Sequence, residues 1–117
     1  MSKGNKFDQG KVKQSLIPVE AIEGTARALG YGEGKYGTHN FRNGIQYTRL
    51  TDATSRHVNA FIKNIDLDDE SGLHHIDHAL ANLAMLKFMI ENRPEMDDRW
   101  KDQKDTNPVV KKETEWK

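Results

Sequence analysis

Three of the chain's five histidines, His74, His75 and His78, stand almost directly behind the acidic run Asp66-Leu67-Asp68-Asp69-Glu70. Imidazole nitrogen and carboxylate oxygen are good ligands for divalent metals, and imidazole also carries protons near neutral pH. On a helix, His75, His78 and Asn82 fall at i, i+3 and i+7 and share one stripe, while His74 diverges toward another face. His57 sits on the inward face of the preceding helix, in register with Leu50, Ala53 and Phe61, so a short connection can fold it into the same pocket. The expected chemical centre is a His-x-x-His stripe facing His57 with Glu70 beside it. The plainer alternative keeps these histidines as caps and core groups, and the acidic run as a solvated loop favouring a helix N-terminus. That run does not have the spacing of a calcium-binding loop.

Further groups extend this centre. Glu20 and Glu23 lie one turn apart and can hold Mg²⁺ or Mn²⁺, although such pairs also occur on solvated helix faces. Between Gly30 and Gly44 the chain interleaves five glycines with Lys35, Tyr36, Asn40, Phe41 and Arg42. Lys35 and Arg42 can contact phosphates, Tyr36 and Phe41 can stack on a base, and Asn40 can read a base edge. The same aromatics can instead cover the core from an ordered loop. Asp52 and Arg56, at i and i+4, form a surface ion pair or orient a substrate group at the pocket edge. No Gly-x-x-x-x-Gly-Lys-Ser/Thr order is present.

The elements that must position these groups read as helices. Pro18 starts a first helix over about residues 18 to 29, with Val19, Ile22, Ala26 and Leu29 at helical spacing and Gly30 as its stop. The segment after Gly30 reads as a shaped, glycine-rich loop. A second helix spans about 49 to 63 with Thr48 or Thr51 as its cap. A third starts behind the N-cap Ser71 and runs to about Asn92, ahead of Pro94. Its residues Leu73, Ile76, Leu80, Leu83, Leu86 and Ile90 form one apolar side, with Met85, Phe88 and Met89 elsewhere. A helix so apolar in so short a chain implies packing against a second copy. A short helix near 95 to 102 precedes a polar tail, and residues 1 to 15 form a polar arm anchored only by Phe7 and Val12.

The bulk properties narrow the class. At 117 residues the chain is expected to hold one domain: residues 1–94 as a helical domain with its arm, and 95–117 as the short helix and tail. Eighteen basic residues balance eighteen acidic ones, which argues against a binder of long nucleic acid or of a membrane surface. The absence of cysteine removes disulfides, thiolate catalysis and Cys-ligated zinc. The polar start and an apolar run broken by Lys87 point to a cytoplasmic protein with no membrane span.

With those residues in place, the chain resembles a family found in phage genomes, the N-terminal domain of dATP/dGTP diphosphohydrolase. The resemblance rests on Lys6-Phe7-Asp8-Gln9-Gly10-Lys11 with Ser15-Leu16-Ile17-Pro18, then Lys35-Tyr36-Gly37 and Asn40-Phe41-Arg42-Asn43-Gly44. It continues through Leu50-Thr51-Asp52-Ala53, Arg56-His57 and Asp68-Asp69-Glu70-Ser71-Gly72-Leu73 to His75, His78-Ala79 and Asn82-Leu83. It implies an all-α domain, MazG-like in general character, handling purine deoxynucleoside triphosphates in the host cytoplasm. The implied reaction is dNTP plus water to dNMP plus pyrophosphate, with a divalent metal, Mg²⁺ or Mn²⁺, on the phosphate chain. By the same resemblance Glu20, Glu23 and Glu70 serve metal or water, and Lys35 and Arg42 serve phosphates. His57, His75 and His78 complete the site as ligands or proton carriers, with Lys11 and Arg56 among the nucleotide contacts. One departure stands out: MazG-like enzymes carry Glu-x-x-Glu on one helix and Glu-x-x-Asp on the next. Here the second pair is replaced by His74-x-x-Asp77 or His75-x-x-His78.

The expectation is therefore an all-α domain of three main helices plus a short C-terminal helix, homo-oligomeric, hydrolysing purine deoxynucleoside triphosphates with a divalent metal. Its alternatives are a non-catalytic phage protein that sequesters a host signalling nucleotide, and a structural interaction module.

Overall fold

Pro18 is the N-cap rather than the first residue of the first helix, α1, which spans Val19–Tyr36. A computed structural model describes residues 4–101. The helix does not stop at Gly30. It runs on through Gly32 and Gly34 and ends only at Gly37, whose φ of 97° suits a residue without a Cβ. Each interior glycine costs about 1 kcal/mol relative to alanine. Tertiary contacts offset this: Tyr31 and Lys35, one turn apart, both bond the carboxylate of Glu70. The expected loop is thus half helix, and only residues 37 to 46 depart from it, with a single 3-10 turn at Asn40–Asn43.

The second helix, α2, is Tyr47–Ile62 and its cap is not a threonine of its own. Instead Asp98, fifty residues on, accepts from the Thr48 backbone N–H at 2.9 Å and from its hydroxyl. The carboxylate satisfies a first-turn donor that the local sequence leaves open.

The third helix, α3, is His75–Asn92, three residues shorter at its start than a Ser71 cap implies. His74 is the cap, its Nδ1 accepting from the Ile76 N–H at 3.0 Å. The segment before it folds back on itself: the Asp68 N–H donates to Leu73 O, the Gly72 N–H to Asp68 O and the His75 N–H to Asp66 O, each at 2.8 Å. Gly72 makes that turn with φ 75°.

Leu50 meets Met89 near one end of the α2–α3 pair and His57 meets His75 near the other, so the two helices run antiparallel. Tyr47, Leu50 and the fully buried Met89 form the core, covered by Phe41, Ile45, Met85, Leu86, Phe88 and Met96. α1 also packs on α3, with Gly24 and Ala28 its buried residues. With two helices packed on it, α3 buries its small residues Ala79 and Ala81, His75 and Met89. The apolar side read from the sequence is split, since Leu83 and Ile90 are 48% and 46% exposed. The short helix expected near 95 to 102 is a 3-10 turn at Pro94–Met96, and residues 97–101 form no helix. The tail beyond residue 101, including Trp116, lies outside the described residues. The architecture is all-α with three main helices, and among the described residues no helix is long and apolar enough to cross a membrane.

Candidate functional site

Antiparallel pairing of α2 and α3 brings the histidines together. His57 Nδ1 and His75 Nδ1 lie 2.7 Å apart, so one ring donates and the other accepts, or both lone pairs turn toward a cation. His78 stacks on His57 with ring centroids 4.7 Å apart and planes at 14°. His75 is buried, while His57 and His78 are half-buried. Burial pushes the His57 imidazole below its usual range, and the neighbouring His78 and His75 push it the same way. A ring so placed stays neutral near pH 7, with a lone pair available.

The third partner is Asp68. One nitrogen from each of His57 and His75 and one Asp68 carboxylate oxygen lie within 4.8 Å of one another. Burial raises the Asp68 carboxyl, but the Ser71 backbone N–H and hydroxyl outweigh it and hold the group below its ordinary value. The Ser71 hydroxyl lies 3.0 Å from Asp68 Oδ2 and 2.7 Å from His78 Nε2, and it accepts from the Leu73 N–H. A hydroxyl has one proton, and an ionised carboxylate can only accept. Ser71 therefore donates to Asp68 and accepts from His78, which places a proton on His78 Nε2.

Of the residues expected from the sequence, His57, His75 and His78 are brought together. Glu70 stands at the edge of the cluster but turns to α1, accepting from the Tyr31 hydroxyl at 2.6 Å and from the Lys35 ammonium. These bonds, Lys35 first, lower the Glu70 carboxyl and raise Lys35. Lys35 is thereby committed to a carboxylate. Glu20 and Glu23 are exposed on α1 and lie outside the donor group. Lys11 sits on the exposed arm, which carries its own hollow among Lys6, Phe7, Asp8 and Lys13.

A cleft of about 830 Å³ is walled by the same three helices, and none of His57, Asp68, His75 or His78 lines it. The second half of α1 forms one wall with Leu29 and Tyr36, and the turn after it contributes Asn40, Phe41 and Arg42. α2 supplies Arg49, Ala53 and Arg56, and α3 supplies Asn82 and Met85. Ala53 and Asn82 each precede or follow a site histidine, His57 or His78, by one helical turn, so the helix faces lining the cleft continue into the cluster. Tyr36 is the exposed aromatic there, 63% accessible. Phe41 instead packs edge-on to Phe88 with centroids 5.4 Å apart and belongs to the core cover. The Asp52–Arg56 ion pair expected on α2 does not form; Arg56 faces the cleft instead.

Two residues escaped the sequence reading. Asp68 was one of several acids in a run, and only its Asp-x-x-Ser spacing to Ser71 marks it as a turn-forming carboxylate. Arg49 stands seven residues before Arg56, a helical repeat that places both on one face.

Residues 1–99 match the family model described as dATP/dGTP diphosphohydrolase, N-terminal. Over 96 residues the chain is 48% identical to a dATP/dGTP diphosphohydrolase of Salmonella phage PMBT28. That alignment covers 82% of this chain and 33% of the relative, so the chain spans about a third of the relative's length. No solved structure matches the chain.

Proposed function

The chain belongs to the dATP/dGTP diphosphohydrolase N-terminal family, and on that footing we propose that it acts on purine deoxynucleoside triphosphates, yielding dNMP and pyrophosphate, with a divalent cation held by His57, Asp68 and His75. The observation that carries this reading is the convergence of these three donors within 4.8 Å of one another. Two imidazoles and one carboxylate form a mixed nitrogen and oxygen set. Mg²⁺ prefers oxygen and retains its waters, so the set favours Mn²⁺ of the two ions. The cation would neutralise charge on the phosphate chain and acidify an attacking water.

The chain's own residues supply the rest. Burial pushes the His57 imidazole below its usual range, and its Nδ1 faces that of His75 at 2.7 Å. Ser71 fixes Asp68 and orients His78. Tyr36 offers a ring face for the base and Asn40 a donor and acceptor for its edge, while Arg42 and Arg56 bind phosphate oxygens. In this reading Glu70 braces the turn that carries Asp68, and Glu20 and Glu23 remain solvent-facing. The exposed Leu83 and Ile90 on α3 support a homo-oligomer that covers them.

The test is to incubate the purified chain with each dNTP and NTP and either Mg²⁺ or Mn²⁺, following pyrophosphate release and retention of intact nucleotide. Release from dATP and dGTP that disappears in Asp68→Asn supports the reading. Retention without release would make the chain a nucleotide binder and overturn it.

A further inference from the structure

The six arginines divide into two sets. Arg27 pairs with Asp77 at 3.6 Å, Arg93 with Glu95 at 3.1 Å and Arg99 with Asp97 at 2.9 Å, and none of the three lines the cleft. Arg42, Arg49 and Arg56 pair with no carboxylate among the described residues, and all three line it. The acidic residue on the cleft wall, Glu33, is turned to the Thr38 hydroxyl at 2.7 Å. In a chain with no net charge, the guanidiniums without a carboxylate partner among the described residues are collected on one concave surface.

Three like charges around one cleft repel each other, and an anion placed among them relieves that repulsion. Arg42 is held ready for one. Its guanidinium lies 4.7 Å from the Phe88 ring centroid, and its Nε donates to His39 Nδ1 at 3.3 Å, which leaves its terminal nitrogens free to donate. Arg49 and Arg56 lie two turns apart on α2, about 10 Å along the helix axis. Between them Ala53 leaves the wall low. A single phosphate group is too short to engage both, whereas a chain of phosphates running along α2 toward His57 can meet them in turn.

We propose that Arg42, Arg49 and Arg56 form a polyphosphate-binding rail, and that Arg49 is the residue that distinguishes a phosphate chain from a single phosphate. The proposal deepens the nucleotide reading above and rests on it for the identity of the full ligand. Binding of the chain itself requires neither base, metal nor hydrolysis.

The probes are inorganic tripolyphosphate, pyrophosphate and orthophosphate, titrated calorimetrically into the purified chain in EDTA at low salt. Tripolyphosphate is expected to bind at least about tenfold more tightly than orthophosphate, because charge-assisted guanidinium bonds accumulate along the chain. Arg49→Gln should cut tripolyphosphate affinity about tenfold and leave orthophosphate nearly unchanged, collapsing the ratio. Lys63→Gln, an equal charge loss outside the cleft, should preserve that ratio. Circular dichroism on each variant confirms that the fold is retained. Tripolyphosphate that fails to bind, an unchanged ratio in Arg49→Gln, or an equal loss in Lys63→Gln overturns the rail. Failure of dATP and dGTP hydrolysis with the rail's binding pattern intact sinks the hydrolase reading alone.

Discussion

His57 and His75 meet Nδ1 to Nδ1 at 2.7 Å although eighteen residues separate them in the chain. The contact exists because α2 and α3 are antiparallel and joined by a turn that carries Asp68 back to the same point. Removing one donor should therefore damage metal binding more than removing any carboxylate of α1. His57→Ala, His75→Ala and Asp68→Asn are each expected to weaken Mn²⁺ binding by more than the roughly 10–100-fold that loss of an outer hydrogen-bonding partner costs. Glu20→Gln and Glu23→Gln should bind as the parent does. Titration of Mn²⁺ followed by electron paramagnetic resonance decides it, and equal losses in the Glu20 and Glu23 variants would place the ion on α1.

Two glycines of α1 should respond in opposite directions. A Cβ at Gly24 would lie 2.9 Å from Asp77 Cγ and nearer still to Oδ1, whereas one at Gly34 meets nothing within 4 Å. Gly34→Ala is expected to stabilise the chain by up to about 1 kcal/mol through helix propensity alone. Gly24→Ala gains the same propensity but overpacks the α1–α3 contact, at a cost of about 1–3 kcal/mol. Urea unfolding should show a net loss for Gly24→Ala, restored by adding Asp77→Ala. A stabilised Gly24→Ala would mean that Asp77 swings aside freely.

Glu70 gives the fold a dependence on acid. Its carboxyl lies below its ordinary value of 4.5 because Lys35 and Tyr31 bond the ionised form. Such a group contributes stability above the unfolded value and loses it as pH falls through the lowered folded value. The melting temperature of the parent should exceed that of Glu70→Gln at pH 7, and the gap should close on acidification below about pH 4.5. A gap independent of pH from 7 to 3 would show that the ion pair contributes nothing.

Met89 is the side chain whose loss the core should tolerate least, being fully buried against Tyr47 and Leu50. Met89→Ala is expected to cost about 2–5 kcal/mol, and Met89→Leu less than about 1.5 kcal/mol because volume is conserved. Chemical denaturation of both variants checks the ranking. Equal losses would mean that the weak bond from the Ile45 N–H to Met89 sulfur matters more than packing.

Local periodicity and punctuation in the sequence were enough to reveal three helices, the shared stripe of His75, His78 and Asn82, and the inward face of His57, because each depends on residues within one or two turns. The ordered motifs also carried the family. What they could not reveal depends on residues far apart. The glycines after Leu29 read as a stop until Tyr31 and Lys35 find Glu70, thirty-nine and thirty-five residues away. Thr48 looked like a cap until Asp98 supplied one from beyond α3. Glu70 and Asp68 are near neighbours of the same charge, and nothing local separates their roles. Tertiary structure does, by turning Glu70 to the Lys35 ammonium and Tyr31 hydroxyl of α1 and Asp68 to Ser71 and the histidines. Which of several chemically able groups reaches the site is a matter of long-range geometry, and that is settled only when the helices pack.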